Sequence, residues 1–299
     1  MRNMKILVTA ATGKTGSYVV EQLIKQGFSV RALVHRCNEK SELLASMGVE
    51  MVVGDFFDMK SLRVALTGIQ RAYFCYPPAD RLLEATTNFA VVAKETGLES
   101  VVNMSQIIAR EGHPSRLTHQ HSLGEKTLDW AGIGATHIRP TLFAEMPLML
   151  NAEGIASEGK IFLPYGKGRH APVAAADIAS VVVEILKNPQ THIGSAYTVT
   201  GQQAFSQNEI AGIIGNVLGK PVEYVDIPLE YWQQAMAVKG HPKFLIDHLS
   251  RVAEDYQKGV FDKVTDVVLK IGGRPPQSFE DFMSKNISVF EDRIAEVLS

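Results

Sequence analysis

The chain has 299 residues, of which 45% are hydrophobic and 21% are charged, a composition typical of a globular protein with room for one large or two smaller domains. Its 30 Lys and Arg residues and 32 Asp and Glu residues leave a formal net charge of -2, so no overall positive field favours nucleic acid or an anionic membrane as a partner. The two cysteines form no Cys-x-x-Cys pair, and neither a signal-like start nor an apolar run of membrane-spanning length is present, which excludes a disulfide scaffold and a zinc ribbon and favours the cytoplasm.

The first half of the chain alternates short apolar runs with longer segments of helical periodicity. The predicted strands are Lys5–Thr9, Ser29–Val34, Glu50–Val53, Ala72–Tyr76, Ser100–Met104 and Thr136–Ile138. This alternation is typical of a parallel sheet whose strands are joined by crossover helices. Because the runs are apolar throughout, we expect both faces of the sheet to be buried, as in a Rossmann-type, doubly wound α/β fold.

Prolines interrupt the sequence beyond Pro140, and the regular alternation ends there. Two helices are nevertheless well marked. One is the very apolar segment Ala176–Lys187, which we expect to pack back onto the sheet. The other follows a capping box, in which Ser206 and Glu209 satisfy each other's backbone amides.

This change of pattern predicts two domains. The first is a dinucleotide-binding domain over residues 1–145, to which a return helix near residues 173–188 also belongs. The second is a smaller α/β lobe over residues 146–299, and we expect it to bind the substrate.

A turn of small residues follows the first predicted strand and leads into a helix. Gly13 and Gly16 occupy the second and third glycine positions of a dinucleotide fingerprint, and Ala10 occupies the first. Small residues are needed because the backbone must approach a pyrophosphate held at the helix N-terminus. Val8 stands where a nucleoside-triphosphate loop requires its first glycine, so the remaining alternative is an ordinary strand-to-helix turn. The residues predicted to contact the cofactor are Thr9, Ala10, Ala11, Thr12, Gly13, Lys14, Thr15 and Gly16.

The end of the second strand distinguishes between the two nicotinamide dinucleotides. NAD sites place an acidic residue there for the ribose 2′-hydroxyl, whereas NADP sites supply a cation for the 2′-phosphate. Here the strand runs into His35 and Arg36, and the first acidic residue is Glu39. The sequence therefore predicts NADP(H) in preference to NAD(H), the alternative being that Arg36 is a solvated loop charge.

Residues after the third and fourth strands complete the predicted cofactor site. Asp55 and Phe56 follow the third strand, where the Asp55 carboxylate can accept a hydrogen bond from the adenine amino group. Tyr76 and Pro77 follow the fourth strand, and we expect them to border the central part of the dinucleotide.

The chain resembles the NmrA-like family of atypical short-chain dehydrogenases/reductases over nearly its whole length. The segments that support this are ATGKTG, LVHR, GDFFDMKSLRVALTGI, VVNMSQ, the His121 to Glu125 stretch, GIGATHIRP, PVAAADIA, YTVTGQQAFSQNEIA and GGRPPQSFEDF. The chain is most similar to the bacterial branch that contains NAD(P)H-dependent quinone, azo-dye and triphenylmethane-dye reductases. Ala10 is a departure, because the family usually has glycine there.

The catalytic pair of most short-chain dehydrogenases is missing. In that pair a Lys four residues after a Tyr lowers the pKa of the phenol, which then exchanges a proton with a carbonyl oxygen. None of the eight tyrosines has Lys at the fourth following position, and the resemblance places His121 and Glu125 in these two slots. Ordinary alcohol oxidation is therefore disfavoured.

Three side chains remain as candidates for catalysis. Ser105, which ends the fifth strand, either donates a hydrogen bond to a substrate oxygen or simply terminates the strand. His121 is expected to supply a proton near neutral pH while Glu125 binds the nicotinamide ribose or amide, the alternative being a structural i,i+4 pair. Pro140 and Thr141, after the sixth strand, are expected to lie against the nicotinamide.

Metal binding is a further possibility for a cluster of ligand-type side chains in one segment. The cluster comprises His113, His119, His121 and Glu125. Two histidines and a carboxylate can bind iron or zinc. The cluster falls where the reactive ring of the cofactor belongs, however, and the family resemblance implies no metal, so we predict none.

These features favour NADPH-dependent reduction of a flat, electron-poor aromatic molecule, such as a quinone, an azo dye or a cationic dye. Hydride addition to such an acceptor gives a stabilised product, so the protein needs no strong proton donor. The alternative is a non-catalytic NADP(H)-binding redox sensor that acts through a protein partner, because the missing Tyr-Lys pair fits both. An alcohol or imine reductase would need a proton donor that the sequence does not identify. The resemblance is also compatible with a homodimer.

Overall fold

The computed structural model describes residues 4–290, and this part of the chain forms two compact units. The first unit contains the described residues up to Arg139, Ala176–Thr198 and Lys270–Gly273. The second contains Pro140–Ala175, Val199–Leu269 and the described residues from Arg274 onward. The chain thus passes between the units several times, whereas the sequence alone suggested one division near residue 145 and a single return helix.

Eleven strands form three sheets within residues 4–290. They are β1 (Lys5–Thr9), β2 (Ser29–Val34), β3 (Glu50–Val53), β4 (Arg71–Phe74), β5 (Ser100–Met104), β6 (Ala135–Pro140), β7 (Lys160–Leu163), β8 (Arg169–His170), β9 (Ala196–Val199), β10 (Phe205–Ser206) and β11 (Glu223–Asp226). The largest sheet has the order β3-β2-β1-β4-β5-β6-β9. Pairing is parallel from β3 to β6, and this confirms the predicted Rossmann-type fold.

Thirteen α-helices lie between or after these strands in the described chain. They are α1 (Lys14–Lys25), α2 (Glu39–Ser46), α3 (Met59–Leu66), α4 (Leu82–Glu95), α5 (Arg116–Ala131), α6 (Met146–Leu150), α7 (Ala152–Glu158), α8 (Ala175–Lys187), α9 (Gln207–Leu218), α10 (Leu229–Val238), α11 (Lys243–Gln257), α12 (Val267–Lys270) and α13 (Phe279–Lys285). None of these helices is long and apolar enough to cross a bilayer.

The core of the first unit joins the large sheet to its helices. Leu62 of α3, Phe89 of α4 and Leu128 of α5 form one buried cluster with Leu7 of β1 and Phe74 of β4. Burial of such large apolar side chains is the main favourable term in folding. The strand ends that follow this core are therefore held on a rigid scaffold.

The apolar helix predicted near Ala176–Lys187 is confirmed as α8, and most of its apolar side chains are fully buried. It lies beside α1, because the Gln22 side chain donates a hydrogen bond to the carbonyl oxygen of Ala176 at 3.1 Å. Arg71 of β4 donates to the last carbonyls of α8, those of Leu186 and Lys187. A cation at a helix C-terminus stabilises the helix.

Two strands differ from their predicted limits. β4 ends at Phe74, two residues early, because the amide and carbonyl of Cys75 both bond the Thr9 hydroxyl, at 2.8 and 2.9 Å. The prolines at positions 77 and 78 also lack the N–H group that a strand needs. β6 begins one residue early and continues to Pro140.

The second unit contains two small strand pairs. β7 pairs with β11 in parallel, and β8 pairs with β10 antiparallel. The capping box predicted at the start of α9 is confirmed, because the Ser206 amide donates to the Glu209 carboxylate at 2.7 Å and the Ser206 hydroxyl accepts from the Glu209 amide. α10 and α11 pack on each other through Trp232, Met236 and Ile246.

Candidate cofactor-binding and active site

The turn between β1 and α1 is built around the carbonyl oxygen of Ala10. This oxygen accepts a hydrogen bond from the Gly13 amide at 2.8 Å. A Cβ atom at Gly16 would lie 2.1 Å from the same oxygen, and one at Gly13 would lie 3.0 Å from it. Position 16 therefore accepts only glycine unless the turn moves, which is the close approach that the dinucleotide fingerprint requires.

Ala10 has a φ of 48° and is the one non-glycine residue within residues 4–290 with a positive φ. This left-handed conformation costs alanine about 1 kcal/mol relative to glycine. Ala11 beside it is fully buried, and Thr12 is half-buried. The departure from the usual family glycine thus keeps the turn but adds backbone strain.

The N-terminus of α1 is open to an anion. Its N-cap, Gly13, has no side chain that could accept from the first-turn amides, and the first turn contains no acidic residue. Lys14 is exposed and forms no ion pair with any residue that the structure describes. Free amides at a helix N-terminus and a nearby cation are the groups that bind a pyrophosphate. The turn therefore fits a dinucleotide.

Two threonine hydroxyl groups connect this turn to β4 and to the residue that follows it. The Thr9 hydroxyl bonds the backbone of Cys75, and the Thr15 hydroxyl bonds the Tyr73 hydroxyl at 2.7 Å in the buried interior. Both hydroxyl groups are thus engaged within the protein, and the contacts of Thr9 and Thr15 with a cofactor stay predictions.

The residues predicted to select NADP(H), His35 and Arg36, follow β2 and are exposed. Neither forms an ion pair with any other side chain between residues 4 and 290. The loop is fixed beyond them by a capping box, in which Asn38 Oδ1 accepts from the Ser41 amide at 3.0 Å and Ser41 Oγ accepts from the Asn38 amide at 2.7 Å. An unpaired guanidinium at this position fits a ribose 2′-phosphate.

Asp55 closes the loop after β3, where its Oδ1 accepts a hydrogen bond from the Phe57 amide at 2.9 Å. Its second carboxylate oxygen remains available to a donor such as an amino group. Phe56 and Tyr76 are half-buried and meet edge to face, with ring centroids 5.4 Å apart, and Pro77 is exposed. The adenine and central contacts assigned to these residues stay predictions.

Glu125 is bound by Arg139, which precedes the buried Pro140 at the end of β6. Arg139 Nε donates to Glu125 Oε1 at 2.9 Å, and Nη2 donates to Oε2. Burial raises the pKa of Glu125, but the hydrogen bonds from Arg139 and the nearby Ser105 hydroxyl outweigh it, so the pKa lies below its usual value. The alternative i,i+4 pair with His121 does not form, since a bidentate guanidinium is the stronger partner.

Ser105 and Thr141 each bury a hydroxyl group; that of Ser105 lies close enough to Glu125 to lower the pKa of its carboxyl group, whereas no residue within the described chain bonds that of Thr141. The Ser105 amide donates to the Ile138 carbonyl at 2.7 Å, so its backbone extends the pairing of β5 with β6. The Thr141 amide donates to the Val199 carbonyl at 3.0 Å. Because an unpaired buried hydroxyl is unfavourable, Thr141 is a candidate for a bond to a ligand, and the role of Ser105 stays a prediction.

His121 lines a pocket of about 220 Å³ in the first unit, together with Tyr76, Thr86 and Asn103. It makes no hydrogen bond to a residue that the structure describes. Burial lowers the pKa of its imidazole to about 4, although the charge of Glu125 opposes this. This shift favours the neutral imidazole at pH 7 and so argues against a proton donor near neutral pH, and the catalytic role of His121 stays a prediction.

Two of the three histidines considered as metal ligands, His113 and His119, have other partners. His113 Nδ1 accepts a hydrogen bond from the Ser115 amide at 2.9 Å, and His119 Nδ1 accepts one from the Gly112 amide at 3.1 Å. Within residues 4–290, no three His, Cys, Asp or Glu side chains come together as a metal site.

Sequence reasoning missed Arg139 and a polar group in the second unit. Arg139 is a cation at the end of an apolar strand, and that contrast is the signal that could have identified it. In the second unit, His170 Nδ1 and Gln207 Nε2 each lie 2.8 Å from the Tyr256 hydroxyl. No local pattern could reveal this group, because its members are far apart in the chain.

Comparisons with known proteins were made for the whole chain. The pattern of the NmrA-like family matches residues 2–283. An NAD(P)H azoreductase of Xenophilus azovorans is 31% identical over 289 residues, which cover 95% of this chain and 99% of the relative. The structure of an NADPH-dependent quinone oxidoreductase of Escherichia coli complexed with NADPH has a TM-score of 0.85, 25% identity, and coverage of 94% and 99% of the two chains. A triphenylmethane reductase of Citrobacter sp. gives a TM-score of 0.82, 25% identity, and coverage of 95% and 99%.

Proposed function

The chain belongs to the NmrA-like family, and we propose that it is an NADPH-dependent reductase that delivers hydride to a flat, electron-poor acceptor such as a quinone or an azo or triarylmethane dye. The observation that supports this most strongly is the β1–α1 turn, in which Gly16 leaves room for nothing but hydrogen and α1 presents uncapped amides. The three similar proteins named above are all reductases, two of them described as NADPH- or NAD(P)H-dependent.

The residues that would hold the cofactor belong to three loops of the first unit. The amides from Gly13 to Gly16 would bind the pyrophosphate, and Arg36 would bind the 2′-phosphate. Asp55 offers one carboxylate oxygen to the adenine amino group. When bound, the nicotinamide supplies the hydride for reduction.

The state of the polar side chains favours an acceptor that needs no general acid. Glu125 is ionised and paired with Arg139, and His121 is neutral at pH 7, so neither is a ready proton donor near neutrality. An electron-poor ring accepts hydride and spreads the added charge over its own atoms, and solvent can then protonate it. A simple alcohol or ketone lacks this property. Substrates of the quinone and dye type therefore suit these residues better.

The test is steady-state oxidation of NADPH and NADH by the purified protein. The acceptors are a quinone, an azo dye and a triarylmethane dye, with a simple aliphatic ketone as the negative acceptor. We expect turnover with at least one aromatic acceptor and a preference for NADPH over NADH. We expect no turnover with the ketone. Tight NADPH binding without turnover of any acceptor would reject the reductase and favour the redox sensor.

A further inference from the structure

Hydrogen bonds fasten the β1–α1 turn to the end of β4 on both sides of the turn. Where the turn begins, the Thr9 hydroxyl bonds the backbone amide and carbonyl of Cys75, at 2.8 and 2.9 Å. Where it ends, the Thr15 hydroxyl lies 2.7 Å from the hydroxyl of Tyr73. All four residues belong to the first unit. The backbone that would receive the pyrophosphate is therefore held from a neighbouring strand as well as by its own hydrogen bonds.

Tyr73 is the residue of β4 that makes the second of these contacts. Its backbone pairs with Val8 in the parallel ladder of β1 and β4, and its side chain is fully buried. A phenol ring packed on all sides has few rotatable bonds, so its hydroxyl has a fixed position. Thr15 lies in the first turn of α1 and is only 5% exposed. The Tyr73 hydroxyl thus determines where this first turn lies relative to the end of β1.

The contact between the two hydroxyls does not depend on pH near neutrality. Burial raises the pKa of Tyr73, and it raises the pKa of the Cys75 thiol, which lies beside both hydroxyls, to about 11. The phenol and the thiol therefore keep their protons at pH 7. Neither hydroxyl bonds a group outside these three side chains within residues 4–290. The bond between Tyr73 and Thr15 is therefore the main contact of each hydroxyl.

The turn needs this support because it contains a strained residue. Ala10 has a φ of 48°, which is unfavourable for a residue with a Cβ atom. Its carbonyl oxygen must nevertheless stay in place, because it accepts from the Gly13 amide at 2.8 Å. A strained conformation persists only when the surrounding structure holds it. Thr9 and Thr15 border the strained turn, and both are tied to β4 or to the residue after it.

We propose that Tyr73 is a positioning residue for the dinucleotide, because through Thr15 it holds the first-turn amides of α1 in the arrangement that binds the pyrophosphate. The proposal rests on the cofactor part of the proposed function, and it adds a residue that does not itself touch the cofactor. Amides that are held in place before binding lose less entropy when the ligand arrives. Loss of the Tyr73 hydroxyl should therefore weaken the binding of any ligand that contains the pyrophosphate.

The test is equilibrium binding, measured by fluorescence titration and competition, with three ligands as probes. NADPH and NADH both contain the pyrophosphate, whereas adenosine 2′-monophosphate has the adenine and the 2′-phosphate without it. Tyr73→Phe removes one oxygen atom and keeps the buried ring. It should weaken NADPH and NADH binding about fivefold each and leave adenosine 2′-monophosphate binding unchanged. An equal loss for all three ligands, or wild-type affinity for both dinucleotides, would overturn the proposal.

Thr15 gives a second route to the same contact, in case Tyr73→Phe fails to fold. Thr15→Val replaces the hydroxyl by a methyl group and should cause the same loss, whereas Thr15→Ser keeps the hydroxyl and should bind NADPH within about twofold of the wild type. Because the two hydroxyls act through one bond, the double variant Tyr73→Phe/Thr15→Val should lose no more affinity than either single variant. Additive losses would show that the hydroxyls act separately and would contradict the role of Tyr73.

The matched control is Tyr197→Phe, which removes another tyrosine hydroxyl of the first unit. This hydroxyl lies 2.9 Å from His192 Nδ1, but its strand, β9, is at the edge of the sheet, three strands beyond β4. The variant should bind all three probes like the wild type. A wild-type protein that binds neither dinucleotide would reject the proposed function and this inference together. The expected affinities without NADPH oxidation by any acceptor would instead reject only the reductase.

Discussion

The properties of the β1–α1 turn and of the loop after β2 depend on a few individual residues. Gly16 is excluded from bearing a Cβ by the Ala10 carbonyl, and Ala10 itself is strained at a φ of 48°. Arg36 is exposed and makes no ion pair in the described chain. These features concern single side chains, and single substitutions therefore test them.

Gly16→Ala should weaken NADPH binding about tenfold or more, because the new methyl group forces the Ala10 carbonyl to move and disturbs the turn that receives the pyrophosphate. Overpacking should also cost about 1–3 kcal/mol of stability. Calorimetric titration and urea unfolding measure the two effects. The control is Gly212→Ala in α9, where a Cβ would meet nothing within 4 Å; this variant should bind NADPH normally. Wild-type affinity in Gly16→Ala would disprove the assignment.

Arg36→Ala should weaken NADPH binding at least about tenfold and change NADH binding less than about twofold, because a charge-assisted bond to the 2′-phosphate is lost. Lys258→Ala removes an exposed cation of the second unit and should change neither. Fluorescence titration with both dinucleotides provides the affinities. Equal losses for NADPH and NADH would show that Arg36 does not contact the 2′-phosphate.

His121→Gln should keep kcat within about threefold of the wild type, because the imidazole with a pKa of about 4 is neutral during turnover. The profile of kcat against pH should show no ionisation of this histidine between pH 6 and 8 in the wild type. An inflection near pH 6.5 that disappears in the variant would restore His121 as the proton donor.

At the scale of elements, one ion pair joins helix α5 to strand β6. Glu125 is buried, and both its carboxylate oxygens are bound by Arg139. The pKa of Glu125 is lower in the folded protein than its usual value of about 4.3. The pair therefore stabilises the fold above that usual value, and its contribution is lost as the pH falls through the folded pKa.

Arg139→Met should lower the free energy of unfolding by about 2 kcal/mol at pH 7, because it leaves a buried carboxylate without its cation. The deficit should shrink as the pH falls through the lowered pKa of Glu125, because protonation removes the uncompensated charge. Adding Glu125→Gln should recover most of the loss. Urea unfolding across this pH range measures the deficit. The control is Lys126→Met, which breaks the exposed pair with Glu111 and should change the free energy of unfolding little at any pH. If Arg139→Met lost the same free energy of unfolding at pH 7 and at the lowest pH measured, the ion pair would not be the source of the stability.

The sequence predicts elements well where periodicity is local and poorly where partners are distant. β1 to β6 were identified because continuous apolar runs of strand length are distinctive. The predicted β4 extended two residues beyond its observed end at Phe74. At Cys75 the Thr9 hydroxyl, which comes from another strand, takes the place of the backbone hydrogen bonds of the sheet. β9 was not predicted. It has only four residues, and more than fifty residues of chain separate it from β6, its neighbour in the sheet, so no local pattern indicates it.

The same limit applies to the candidate site. The β1–α1 turn and the cation after β2 follow from one strand and its next residues, so a sequence fingerprint locates them. The partner considered for Glu125 as a structural alternative was His121, at helical spacing, but the ion pair is formed with Arg139 of a different element. The contact of His170 with Tyr256 joins residues 86 positions apart. Chemistry that depends on such contacts cannot be derived from local spacing.

For the whole molecule, the strand order explains why the residues proposed to bind the cofactor gather at one edge of the sheet. The order reverses between β1 and β4, and both of their carboxyl ends lie at this switch point of the first unit. In parallel sheets a ligand binds beyond the carboxyl ends of the strands at the switch point. The loops after β1, β2 and β3 contain Gly13, Arg36 and Asp55, so the topology favours one dinucleotide site. The second unit adds a pocket without charged walls.

The measurement that tests the central claim most directly is a single turnover in a stopped-flow instrument. The protein is first loaded with NADPH in less than equimolar amount, then mixed with 1,2-naphthoquinone or a dye, and the nicotinamide absorbance is followed. We predict that this absorbance decays at a rate that rises with acceptor concentration, and that Arg36→Ala shows the decay only at much higher NADPH. Bound NADPH that survives unchanged at every concentration of every acceptor would contradict the account and identify a protein that binds the dinucleotide without using it.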